Sequence, residues 1–176
     1  MKNQKNYIAF FFILIFTLSS SIATADTEIY FIRHADVDIK SKKRLLTDAG
    51  KERAKKLVDA MSGKKLTHIL VTDFPRTKNT AKPISKERNL DIEVIPYKGK
   101  KAIGPMVNAL KNIPDGSDVL VVANSSNLFP IMSKMGVKTN DSMPCKTKKC
   151  FDRQVFDNIW HVTISGDNVT MVGSKY

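Results

Sequence analysis

Three short stretches hold residue types suited to handling phosphate: Arg33-His34-Ala35-Asp36, Thr72-Asp73-Phe74-Pro75-Arg76-Thr77 and Ala123-Asn124-Ser125-Ser126-Asn127. The planar fork of arginine matches phosphoryl oxygens, and two such forks can neutralise a phosphoryl dianion. An imidazole such as that of His34 can act as a covalent nucleophile. Phosphoryl transfer otherwise needs mainly positioning and charge compensation. Thr72, Asn124 and Ser125 add neutral hydroxyl and amide donors. Each residue alone has an ordinary use. A lone His after a strand is more often a hydrogen-bonded structural residue, and Arg33 or Arg76 would serve in a surface ion pair. Thr72 and Thr77 are common strand-end and helix-cap types. Only the combination points to chemistry.

That combination requires the three stretches to meet. Glu28 to Ile32, Ile69 to Val71, Ile92 to Ile95 and Val119 to Val122 read as short buried strands. Asp48 to Ser62 reads as an amphipathic helix, with Ala54, Leu57, Val58 and Met61 on its apolar face and Gly63 as its stop. A second helix is expected from about Arg76 to Arg88, kinked or broken at Pro83, where the ring crowds the carbonyl of Asn79. A weaker helix spans Ala102 to Asn112, and a short one begins near Asn127. Thr139 to Arg153 reads as a loop, followed by an antiparallel hairpin of Val155 to Ile164 and Val169 to Val172. Alternating strands and helices imply an α/β fold: a doubly wound, mostly parallel sheet flanked by helices, with this hairpin at its edge. In such sheets ligands sit outside the carboxyl ends of the strands, where the three stretches fall.

The motifs resemble those of the histidine phosphatase (phosphoglycerate-mutase-like) superfamily. Ile32-Arg33-His34-Ala35 is similar to its Arg-His-Gly/Ala signature, and Leu46-Thr47-Asp48-Ala49-Gly50 to its Leu-Thr/Ser-x-x-Gly helix start. Thr72 to Ala81 resembles its Ser-Asp-x-x-Arg-Thr-x-x-Thr-Ala motif, and Phe156-Asp157-Asn158 its Tyr-Asp-Asn segment. The resemblance implies that His34 is the nucleophile, forming a phosphohistidine, and that Arg33 and Arg76 bind phosphoryl oxygens. Thr72, Asn124 and Ser125 would complete the substrate site. It departs at one place. A Gly-His-Ser-Asn motif normally supplies a second catalytic histidine after the fourth strand, and here Asn124 stands there. His68, at the wrong end of its strand, and His161, in the hairpin, are not replacements. The family's general acid has no match either. The resemblance implies no cofactor or metal.

The remaining sequence bounds the setting. Lys2 and Lys5, the apolar run Ile8 to Leu18 and Ala23-Thr24-Ala25 read as an export signal over residues 1–25, followed by one domain over 26–176. The run is shorter than the roughly 20 residues of a spanning helix, so no stable membrane anchor is expected after cleavage. The expected compartment is periplasmic or extracellular, where Cys145 and Cys150 would pair as a structural disulfide. A net charge of +12 suits anionic partners. The cations lack the interleaved aromatics of single-strand binders, which argues against nucleic acid. Three readings follow: a weak phosphomonoesterase acting on a phosphorylated small molecule or phosphoprotein, a non-catalytic binder of phosphorylated or anionic ligands, and a basic protein-interaction scaffold.

Overall fold

The computed structural model describes residues 25–40, 42–96, 103–138 and 155–176. Residues 1–24, most of the expected signal, and Cys145 and Cys150, the expected disulfide, lie outside the described residues. No helix among the described residues is long and apolar enough to cross a membrane.

Period-2 alternation in the strands gives the sheet two apolar faces, and four helices cover them. The strands are β1 (Thr27–Arg33), β2 (His68–Thr72), β3 (Ile92–Ile95), β4 (Asp118–Ala123), β5 (Asn158–Ser165) and β6 (Asn168–Lys175). The helices are α1 (Asp48–Ala60), α2 (Pro75–Arg88), α3 (Ile103–Lys111) and α4 (Ser125–Lys134). Tyr30 and Ile32 of β1 pack with Leu57 of α1 and Ile84 of α2, while Ile29 and Phe31 pack with Met106 of α3 and Leu128 of α4. Successive side chains of one strand thus feed opposite cores.

The strand order is β3-β2-β4-β1-β5-β6. The first four strands pair in parallel, and β5 and β6 add the expected antiparallel hairpin beside β1. The doubly wound α/β expectation is met. The chain leaves β1 toward α1 on one face and leaves the adjacent β4 toward α4 on the other. Diverging connections open a crevice at the carboxyl ends of β1 and β4.

Local expectations needed correction in four places. Helix α2 is continuous from Pro75 to Arg88, so Pro83 does not break it. Thr80, Ala81 and Ile84 are buried on its inner face, and their packing offsets the hydrogen bond that proline removes. Pro75 occupies the first turn, where its missing N–H costs nothing. Helix α4 starts at Ser125, earlier than its apolar pattern shows. Strand β5 begins only at Asn158, and β6 runs on to Lys175.

Candidate active site

Arg33 ends β1 paired with Ala123 of β4, and the backbone N–H of His34 donates to the Ala123 carbonyl at 3.0 Å. This extra rung places His34 beside Asn124. The ring of His34 is 5% exposed. Its Nδ1 lies 2.8 Å from the carbonyl oxygen of Ala35. A carbonyl only accepts, so Nδ1 carries the proton and Nε2 keeps its lone pair in the neutral ring. Burial, with Arg33 and Arg76 nearby, pulls the His34 pKa down to about 4. The ring is therefore neutral and nucleophilic at neutral pH.

Each arginine is seated by an aromatic face and a hydrogen bond. The Arg33 guanidinium lies 3.9 Å from the Phe156 ring centroid, and its Nη1 donates to the Val155 carbonyl at 3.0 Å. The Arg76 guanidinium lies 4.1 Å from the Phe74 ring centroid, and its Nε donates to Asn124 Oδ1 at 2.8 Å. Such stacking holds a cation in place without neutralising it. The bond to Arg76 also fixes Asn124, because guanidinium nitrogens only donate. Its Oδ1 faces Arg76, which leaves Nδ2 as a donor. Asn124 is the N-cap residue of α4 but makes no side-chain capping bond. The first N–H groups of α4 thus keep their positive end toward the crevice.

Arg33, His34, Arg76, Asn124 and Ser125 line one cavity of about 750 Å³. The structure brings these five residues, from three separate stretches, to one cavity. Thr72 differs. It is 1% exposed and does not line the cavity; its hydroxyl has no hydrogen-bond partner among the described residues. Its carbonyl accepts from Phe74 N and Thr77 Oγ1, which shapes the turn that presents Arg76. His68 bonds to Thr67 and His161 to Glu28, and neither lines the cavity. No cluster of residues among those described could hold a metal ion.

The sequence reading missed three contributors. Phe156 supports Arg33 and tilts against the His34 ring at 5.9 Å; the Phe156-Asp157-Asn158 segment was the signal for it. Thr80 accepts from the Ala35 N–H at 2.9 Å and donates to the Arg76 carbonyl at 2.8 Å, tying the His34 turn to α2. Gly50 lets α1 approach the turn: a Cβ there would sit 2.1 Å from the Asp36 carbonyl oxygen. Thr47 caps α1 by accepting from Gly50 N.

A doubly wound sheet thus carries a buried imidazole and two seated guanidinium groups at its switch point, an arrangement whose chemistry suits a phosphoryl group. The description of the histidine phosphatase superfamily, branch 1, matches residues 29–97. That match covers the Arg33-His34 and Thr72–Thr77 stretches and stops before β4 and Asn124. No curated protein sequence matches it. Among solved structures it is similar to the protein histidine phosphatase SixA complexed with tungstate, at 20% identity and a TM-score of 0.63 over 84% of this chain and 96% of that one. It is similar to the putative phosphohistidine phosphatase SixA from Agrobacterium tumefaciens, at 15% identity and a TM-score of 0.63 over 89% of this chain and 100% of that one. It is also similar to a putative alpha-ribazole-5'-P phosphatase from Escherichia coli, at 12% identity and a TM-score of 0.61 over 85% and 96%. At these identities the likeness concerns the fold.

Proposed function

We propose that this chain is a slow phosphomonoesterase that works through a phosphohistidine at His34, on a phosphorylated substrate outside the cytoplasm. The observation that carries the reading is the fixed tautomer. Nδ1 is committed to the Ala35 carbonyl, so Nε2 offers its lone pair in a cavity also lined by Arg33 and Arg76. In the first step Nε2 bonds to phosphorus as the ester oxygen departs with its electron pair and takes a proton from water. In the second, water attacks phosphorus, inorganic phosphate leaves, and the electron pair of the P–N bond returns to Nε2. Arg33 and Arg76 offset the oxyanion charge in both steps. Tungstate, the ligand in the SixA structure, is a tetrahedral oxyanion of the same kind.

Asn124 sets the rate. Its amide can donate to a phosphoryl oxygen but carries no charge. Loss of one preorganised transition-state donor costs about 10²–10³ in rate, and an uncharged replacement recovers only part of that. The same substitution favours a second reading, a binder that holds phosphate without turning it over. The two part in one experiment. Residues 26–176 are assayed on 4-nitrophenyl phosphate alongside Asn124→His and His34→Ala, with acid-labile phosphohistidine trapped by rapid quench. We expect slow turnover in the parent, about 10²–10³ faster turnover in Asn124→His and none in His34→Ala. Turnover only in Asn124→His would establish the binder instead, and turnover surviving His34→Ala would overturn the phosphohistidine route.

A further inference from the structure

The cavity holds a third guanidinium that the phosphoryl chemistry does not use. Between β1 and α1 the chain makes a closed loop. Val37 and Leu46 form an antiparallel bridge, Asp38 N donates to the Leu45 carbonyl at 3.0 Å, and Lys40 N donates to Asp38 Oδ1 at 2.9 Å. This loop carries Arg44 to the cavity wall. Arg44 sits at φ 44, a left-handed backbone that an arginine rarely takes. It is exposed and has no hydrogen-bond or ion-pair partner among the described residues. By contrast Arg53, nearby in sequence on α1, is paired with Asp36 at 2.6 Å.

Apart from Ser126, the rest of the rim is apolar. Val37, Ile39 and Phe156 line the same cavity, and Ile39 is 77% exposed. A ligand body resting on Ile39 would cover apolar surface that the folded chain leaves in water. The cavity volume, about 750 Å³, is also far more than a phosphoryl group fills. Drug-sized ligands occupy pockets of about 300–1,000 Å³.

We propose that the site is built for phosphomonoesters whose leaving group has an apolar body and a second anionic group. The phosphoryl group lies on Arg33 and Arg76, the body rests on Ile39, Val37 and Phe156, and Arg44 reads the far anion. Arg44 is thus a specificity residue. This inference rests on the anion site proposed above, but it needs binding and not turnover.

The test therefore uses ligands that cannot be hydrolysed. A phenylphosphonate bearing a para propionate arm is compared by titration calorimetry with the same compound as its neutral propionamide. In the parent protein the propionate should bind about fivefold more tightly, the upper range for an exposed ion pair. The difference should shrink as salt is raised. Arg44→Asn removes the charge and tolerates the left-handed backbone, so it should bind the two ligands equally. Lys43→Ala, a neighbouring exposed cation in the same loop, should keep the difference. Equal binding of both ligands by the parent overturns the inference, as does a Lys43→Ala effect equal to that of Arg44→Asn. Failure of the parent to hydrolyse 4-nitrophenyl phosphate strikes the catalytic reading alone. Failure to bind either phosphonate strikes the anion site itself.

Discussion

Asn124 meets two demands at once: it accepts from Arg76, and its amide nitrogen remains to donate. Aspartate is the same shape and satisfies only the first. In Asn124→Asp the carboxylate would still accept from Arg76 Nε, now as a charge-assisted bond. The ligand-free fold should be at least as stable as the parent. Phosphate would meet a negative charge where it had a donor, so its affinity should fall by at least about tenfold, the worth of a hydrogen bond to a charged group. Thermal midpoint without phosphate and phosphate titration calorimetry read the two effects separately. Opposite signs are the signature of a residue placed for the ligand. A variant that binds phosphate as well as the parent would show that Asn124 does not touch the anion.

At the scale of elements, the site depends on how closely α1 and α2 approach the turn after β1. Gly50→Ala would drive a methyl into the Asp36 backbone carbonyl, so α1 must shift or unwind its first turn. The expected loss is at least about 1–3 kcal/mol, seen as a lower urea midpoint. Thr80→Val leaves the buried Ala35 N–H without an acceptor and should cost about 1–3 kcal/mol, whereas Thr80→Ser should restore most of it. Equal midpoints for the valine and serine variants would remove the hydroxyl from this account. The strands and the order of the motifs were legible in the sequence because β-branched runs and period-2 alternation are local signals. So were Arg33, His34, Arg76 and Asn124, which lie at or shortly after strand ends. What escaped was set by tertiary contact. The Val155 carbonyl is 122 residues from Arg33 in the chain, and no spacing announces such a bond. Arg44 is one of many scattered cations in the sequence, and only the folded loop, closed by the Val37–Leu46 bridge, sets it at the cavity. Pro83 was read by its local cost, while burial of the inner face of α2 decided the outcome.

For the whole molecule, the strand order brings Arg33 and Arg76 to one end of the sheet and buries a titratable ring beside them. Burial first, and then Arg33 and Arg76, act to keep His34 unprotonated. Folding therefore opposes protonation of that ring, and stability must follow pH. An unfolded histidine titrates near 6.5, and the folded His34 near 4. Between those values the unfolded chain binds a proton that the folded chain refuses. The contribution is thus complete above pH 6.5, declines as pH falls, and is gone by about pH 4. Its size is about 3 kcal/mol, because the ring is only 5% exposed and little screened. A bound oxyanion reverses the local field and favours the imidazolium, so saturating phosphate should reduce the acid loss. Urea midpoints at pH 7 and pH 4.5 should differ much more for the parent than for His34→Gln. If both proteins lose the same stability on acidification, His34 is not held neutral by burial among cations, and the nucleophile assigned to Nε2 loses its electrostatic basis.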